Sequence, residues 1–486
     1  MNRVLLINPP YYIPDGTDFF PSFPLGIGYI ASYLQSLGYS VKILDAFAEG
    51  YENQANYHRF HRIGLSDKEI LSEIHNFSPD IIGISNMFSL LHYSLHSTAK
   101  IIKEYNKDLP VVAGGPHISA APELVMRDKN IDFGILGEGE YTFSKLIKAL
   151  RYGEDYRDIS GLSYRDNGAL KINRPLGFIE NLDALPFPAW HLFKMDKYLY
   201  QKASHGGAVK KRPFMTILTS RGCPLNCFFC SVRDTWGRRF RMRSAGNVIQ
   251  EIALLKEKFG IKEVVIVDDN FNFNIERMNI ILDYFIKEKR RLILDVPNGL
   301  FIPNLNKDIL LKMKSAGFWR IFFPIESGDE FILHKIIRKP VDLGMVKQLV
   351  NYCRKIHLDV VGYFILGLPM ETKETMRRTF KLVRELKIKP YFSIATPFPG
   401  SDLYRFAESK GLLNSYKIEE YSAEYNINTS EWNNKDLKEF ILYEKFKLNP
   451  LRTLWFNFKS TLPLIVKNPK KIVYYLRRTF HLVLQK

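Results

Sequence analysis

The stretch "TSRGCPLNCFFCSV", residues 219–232, decides how the chain is read. Three of the four cysteines fall in it, Cys223, Cys227 and Cys230, with C-x3-C-x2-C spacing. It completes "FMTILTS", a short apolar run that reads as a strand. Three thiols converging from one loop can bind a metal or an iron–sulfur cluster. Structural zinc would want a fourth ligand close by. None is local: His191 and His205 lie upstream in a connector, and His357 is remote. Three ligands leave one position open, which on a [4Fe-4S] cluster is one iron free to bind an outside molecule. Dithiol chemistry at Cys227 and Cys230 is the alternative on spacing alone. Four cysteines in 486 residues make no disulfide scaffold, and a reducing, cytosolic setting fits. Cys353, in "KQLVNYCRKIH", reads as a buried core thiol.

Outward from this loop the pattern is repetitive. After "FMTILTS" come "EVVIVDD", "LILDVPN", "RIFFPIES", "VVGYFILG" and "PYFSIATPF", each separated from the next by a helical period. Six β/α units over residues 213–430 predict a partial (β/α)6 TIM barrel with its site at the carboxyl ends of the strands. Upstream, residues 1–150 alternate short apolar strands with helices. That predicts a doubly wound, Rossmann-like parallel sheet. Its strand ends carry "NPP", "DAFAEG", "ISNM", "AGGPH" and "GEGE", where such sheets bind ligands. Residues 151–212 read as a connector, with a hairpin around "DNG" in "GLSYRDNGALKIN". A chain this long exceeds one core, so an α/β protein of several domains is expected.

Net charge is +18 and uneven. Ten Lys or Arg and no acid lie between Lys445 and Lys486, in a stretch that is also apolar and aromatic. Residues 431–486 therefore read as a basic, helical C-terminal extension, and 445–486 as an element for the membrane surface. Packing on the protein is the blander alternative, and RNA contact the third. There is no apolar run of membrane-spanning length and no signal peptide pattern. The chain is expected in the cytoplasm, peripheral at the inner membrane face.

"RGCPLNCFFC" resembles the cluster loop of the radical S-adenosylmethionine (radical SAM) superfamily. Four further segments resemble that family's strand ends in order: "VDDNF", "IESGDE", "GYFILGLPMET" and "TPFPGSDLY". The resemblance implies a [4Fe-4S] cluster on Cys223, Cys227 and Cys230, with SAM on its open iron. Asp268 and Asp269 would then face the methionyl amine, Glu326 and Ser327 the fourth-strand site, and Gly367 the adenine. Phe229 would offer adenine an apolar contact.

The first domain resembles the cobalamin-binding domain of one class of these enzymes. The pattern D-x-H-x-x-G, S-x-L, G-G is met by Asp45, Gly50, Ser85, Gly114 and Gly115, and "GEGE" adds Glu138. Phe47 stands where the histidine would be, so cobalamin would have no histidine ligand from this motif. His58, His61, His92, His96 and His117 read as surface or core histidines.

The resemblance implies C-methylation of an unactivated carbon through a 5'-deoxyadenosyl radical and methylcobalamin. The tail points to a hydrophobic, lipid or isoprenoid acceptor, and a flavodoxin- or ferredoxin-type protein would donate electrons. Nucleic acid is not the expected partner. The alternatives are oxidative cyclisation or rearrangement with the same cofactors, RNA methylthiolation or methylation, and a non-catalytic binding module.

Overall fold

The computed structural model describes residues 1–14, 19–57, 60–204, 207–287, 292–413, 427, 429 and 431–450. The first half is built on a seven-stranded sheet. Strand Arg3–Asn8 pairs in parallel with Ser40–Asp45 on one side and Ile81–Ser85 on the other. Val111–Gly114 and Phe133–Ile135 continue the parallel order. The second strand thus lies outside the first, while the third, fourth and fifth follow on its other side. That reversal beside Arg3–Asn8 opens a crevice at the carboxyl ends of the strands. These strands read as continuous Val/Ile/Leu runs because helices cover both faces; Val4, Leu5 and Ile7 are fully buried.

The hairpin in the connector forms, as Leu162–Asp166 and Ala169–Ile172. It joins the edge of this sheet, antiparallel to Phe133–Ile135. Helix Asp67–Phe77 starts where expected: Ser66 caps Glu69 and Glu69 returns the bond. "APELVMRDK" yields only one helical turn, Pro122–Val125. A three-stranded antiparallel sheet not expected from the sequence also forms, with Phe60–Ile63 between Tyr11–Pro14 and Gln54–Tyr57. It is held by aromatic contacts among Tyr12, Tyr57, Phe60 and Tyr93.

The second half holds the six expected parallel strands as two three-stranded sheets. One is Phe214–Ile217, Glu263–Ile266 and Ile293–Asp295; the other is Arg320–Glu326, Asp359–Leu366 and Lys389–Ile394. A single bridge, Leu294 to Phe318, links them. No pairing joins the first strand to the sixth among the described residues, so the barrel is open. One apolar core runs from Val4 and Phe143 through Trp190 to Ile217 and Phe364, so the halves share an interior. Cys353 is fully buried in it, as expected.

Helix Asn434–Leu448 packs Leu437, Phe440 and Ile441 against Met376 and Phe380. The rest of the basic extension, 451–486, lies outside the described residues, as do His58 and His205. No helix among the described residues is long and apolar enough to cross a membrane.

Candidate functional site

The cysteine loop leaves the first barrel strand through the two-residue strand Ser220–Arg221, which pairs with Arg241–Met242. It ends at helix Val232–Trp236. Gly222 has φ +87°, and a side chain there would meet Arg239 O at 2.3 Å, so the loop needs glycine before Cys223. Phe228 is buried, and its backbone bonds Ile337 and Leu403, stitching the loop to the far side of the barrel mouth. Phe229 packs on the same apolar cluster, beside Ile365, Leu368 and Ala395. Arg233 donates to Asp402 at 2.7 Å and to Asn226 at 2.9 Å.

The three thiols are half-buried and free. Burial pushes Cys227 up to about 11 and Cys230 up to about 12, and the charge of Cys223 raises both further. A metal or cluster binds only the thiolate, so its binding would have to draw the proton from each of these thiols. As placed, no three His, Cys, Asp or Glu side chains among the described residues are grouped so as to hold a metal ion. The fit therefore rests on the donor set, all sulfur and all from one loop.

Two adjacent carboxylates behave differently. Asp268 is fully buried and accepts from Thr219 N, Thr219 Oγ1 and Ser220 Oγ at 2.5–2.6 Å. It fastens the start of the cysteine loop. Asp269 has no side-chain partner among the described residues. Burial and then the Asp268 charge push it up to about 7, and its field reaches Cys223 and Cys230. Asp269 is thus the open acceptor beside the thiols.

Glu326 takes φ +68° at a register shift in its strand and accepts from Lys339 Nζ at 2.7 Å. Lys339 is buried, and its charge also acts on Cys227 and Cys223. Ser327, fully buried, caps the next turn through Asp329 N, so it supports the loop from beneath. Gly367, φ +82°, sits in a turn whose amides donate to Glu371 at 2.7 Å from Gly367 and 3.0 Å from Leu368. Three residues here were missed from the sequence. Asn270 donates to Cys223 Sγ at 2.9 Å and Glu371 holds the Gly367 turn; both lie inside quoted motifs. Lys339 is one lysine among many, and nothing local marks it.

Glu138 departs from its expected role. It is buried and paired with Arg221 at 2.6 Å and Arg241 at 2.8 Å, both from the barrel half. It joins the two halves.

In the first domain, Asp45 is buried and fully engaged. It accepts from Asn8 Nδ2 at 2.8 Å, Ala48 N at 2.9 Å and Tyr198 Oη at 2.6 Å. Phe47 is buried and stacks on Tyr11, centroids 3.9 Å apart at 9°. Gly50 is needed for packing, since a side chain would meet Leu65 N at 2.1 Å. Gly114 faces open space, with nothing within 4 Å of where a side chain would begin, and Ser85 pairs with it in register. Gly115 has φ +107° and abuts Asn86. The buried Asn86 Oδ1 has no partner among the described residues. Open space at Gly114 and an unpaired acceptor beside it fit a ligand tail laid across this strand end.

The histidines are less scattered than expected. His92 bonds His117 at 2.9 Å, His117 bonds Ser89 at 2.9 Å, and His96 bonds Asp128 at 2.6 Å. Burial lowers His117 to about 3, so it is neutral. His61 lies apart, against Gln54.

Comparison with known proteins follows the same division. A family described as "Radical SAM superfamily" matches residues 217–383, and one described as "B12 binding domain" matches residues 18–147. An uncharacterized methyltransferase of Pyrococcus horikoshii is 35% identical over 402 residues, 82% of this chain and 81% of the relative. The cytidylyl-2-hydroxyethylphosphonate methyltransferase of Streptomyces wedmorensis is 32% identical over 447 residues, 85% of this chain and 82% of the relative. Among solved structures, the cobalamin-dependent S-adenosylmethionine radical enzyme OxsB with aqua-cobalamin bound aligns at TM-score 0.70 and 17% identity. That alignment covers 99% of this chain and 72% of OxsB and is a likeness of fold.

Proposed function

The chain belongs to the radical SAM superfamily, in the branch that carries a B12 binding domain, and from that premise we propose that it methylates an unactivated carbon of a hydrophobic small molecule. One observation carries the reading: three thiols on one loop sit at the mouth of an open barrel whose strands share a continuous core with the B12-matched sheet. When bound, the cluster and cobalamin supply radical formation from one SAM and methyl delivery from a second, with two electrons per turnover from an external flavodoxin- or ferredoxin-type donor. Cys223, Cys227 and Cys230 hold the cluster and leave one iron open.

Asp269 accepts from the SAM ammonium, and binding that cation keeps its carboxylate charged despite burial. Phe229 supplies an apolar wall. Glu326, fixed by Lys339, offers an acceptor to the ribose side, and the turn at Gly367 brings backbone close to the adenine. On the cobalamin side, Gly114 and Ser85 receive the tail, and Phe47 closes the floor without offering a ligand. Two relatives carry methyltransferase in their names, which supports methyl transfer. The hydrophobic acceptor rests on the sequence of the basic, apolar extension.

The test is anaerobic purification with cobalamin, iron and sulfide. Incubation with methyl-labelled SAM, a reductant and lipid extract follows, read by mass spectrometry. The reading expects 5'-deoxyadenosine, S-adenosylhomocysteine and a labelled extractable product. Iron-loaded, reduced protein that forms no 5'-deoxyadenosine overturns it. For the acceptor class, equal pelleting of full-length and tail-deleted protein with anionic vesicles removes the membrane argument.

A further inference from the structure

We infer that Glu138 and Glu140 are positioning residues for the cysteine loop, acting across the domain boundary through Arg221. The contacts are buried and close. Arg221 gives one terminal nitrogen to Glu138 at 2.6 Å and the other to Glu140 at 2.7 Å. Arg241 binds both Glu138 oxygens, at 2.8 and 2.9 Å, and also the carbonyls of Ile179 and Trp236. Ile179 N donates to Glu138 at 2.6 Å. The four side chains are only 2–4% exposed.

Splitting one guanidinium fork between two carboxylates fixes its plane as well as its position, which a lysine could not do. The Arg221 guanidinium also lies between the rings of Tyr29, at 5.2 Å, and Trp236, at 4.9 Å. Three of its partners, Glu138, Glu140 and Tyr29, belong to the B12-matched half.

The lever from there to the thiols is short. Only Gly222 separates Arg221 from Cys223, and Gly222 is pressed against Arg239 O. A displacement of Arg221 therefore passes into the cysteine loop with little slack. The glycines of "GEGE" serve the same end. Gly137 takes φ +74°, and a side chain on Gly139 would meet the end of the Ile30 side chain at 2.8 Å, so both glycines suit the turn that carries the two acids.

Two acids and two arginines sum to zero charge. Burying them costs desolvation that apolar side chains would avoid, so stability alone does not account for the arrangement. What it supplies is register between the two halves. The inference rests on the reading of Cys223, Cys227 and Cys230 as cluster ligands only for its second measurement, below.

The variants are Glu140→Gln, which removes the charge from one arm of the fork, and Arg221→Lys, which keeps the charge and loses the fork. In the unloaded full chain, both are expected to speed amide exchange in residues 219–230 by about tenfold while exchange in the shared core stays as in wild type. In the loaded protein, iron content should hold. The distance distribution between cobalt and the reduced cluster, both paramagnetic and measured by pulsed EPR, should broaden. Unchanged exchange at 219–230, or exchange rising equally through the whole chain, overturns the inference. So does wild-type behaviour of Arg221→Lys. A wild-type chain that takes up no iron defeats the cluster reading, while the exchange experiment still decides this one.

Discussion

The loop at Cys223–Cys230 and the loop at Asp45–Gly50 hold equivalent places past the carboxyl end of a parallel strand: the first runs into helix Val232–Trp236, and the second winds at once into the one-turn helix Ala46–Glu49. They are built on opposite principles. The cysteine loop is bound by charge and backbone, with Arg221 and Arg233 tied at its two ends and Phe228 stitched across the barrel mouth. Its thiols form no disulfide, and Asp269 has no side-chain partner among the described residues. The Asp45 loop is sealed: its carboxylate has three donors and Phe47 lies flat on Tyr11. One loop keeps its chemistry open for ligands; the other has closed a position that the family pattern leaves to a histidine. A site that must bind keeps donors in reserve, and a site that must only support fills them.

The largest effect that separates the two is ligand removal. Cys223→Ala, Cys227→Ala and Cys230→Ala should each reduce iron incorporation and 5'-deoxyadenosine formation to background, with little change in folding, because the thiols are half-buried and support no core. Near-normal iron in any one of them would remove that cysteine from the ligand set. Phe47→Ala should do the reverse. It empties a buried, stacked aromatic site and should cost about 3–5 kcal/mol in denaturant unfolding. Iron uptake at the distant loop should persist while the chain stays folded.

A smaller effect compares the buried carboxyls of the two halves. Burial raises Asp45 to about 6 and Glu371 to about 8. Glu371 has one oxygen on two amides and the other, Oε1, without a partner among the described residues. Unfolded, its carboxyl ionises near the ordinary glutamate value. Across the window from there to about 8 the folded chain holds a proton that the unfolded chain lacks. The stability it confers is complete below that window and is lost as pH rises through it. Between about pH 6 and about pH 8 the loss should be about 2 kcal/mol. Glu371→Gln, which mimics the neutral acid, should flatten that slope. Asp45, whose window ends near 6, should add nothing there. A slope unchanged in Glu371→Gln assigns it to another group.

Both loops could be read from sequence to different depths. The fold was legible because strand and helix periods alternate cleanly, and the thiol set because three cysteines stand together in a chain with four. The aromatic sheet over Tyr11–Pro14 was not legible, since its strands are short and its pairing joins residues about fifty apart. Glu138 was assigned by pattern to a cofactor. Its true partners, Arg221 and Arg241, lie over eighty residues away in the other half, and no local signal reports such a contact. Asp268 and Asp269 are the sharpest case: neighbours just past the end of strand Glu263–Ile266, one is fully bonded to the start of the cysteine loop and the other is left open. Motif position placed both at the site, and only geometry told the tether from the acceptor.

The smallest effect is the most pointed test of the sealed loop. Phe47→His restores the family pattern in sequence, but the surroundings give an imidazole no role. A ligating histidine is normally oriented by a partner on its other nitrogen. The nearest candidate, Asp45, already takes donors from Asn8, Ala48 and Tyr198. The Tyr11 ring, 3.9 Å away, favours a flat aromatic in place. The variant loaded with cobalamin should therefore keep the wild-type absorption spectrum, with no cobalt–imidazole signature. Appearance of that signature would mean that Asp45 releases Tyr198 readily, and that the two loops differ by one side chain and not by construction.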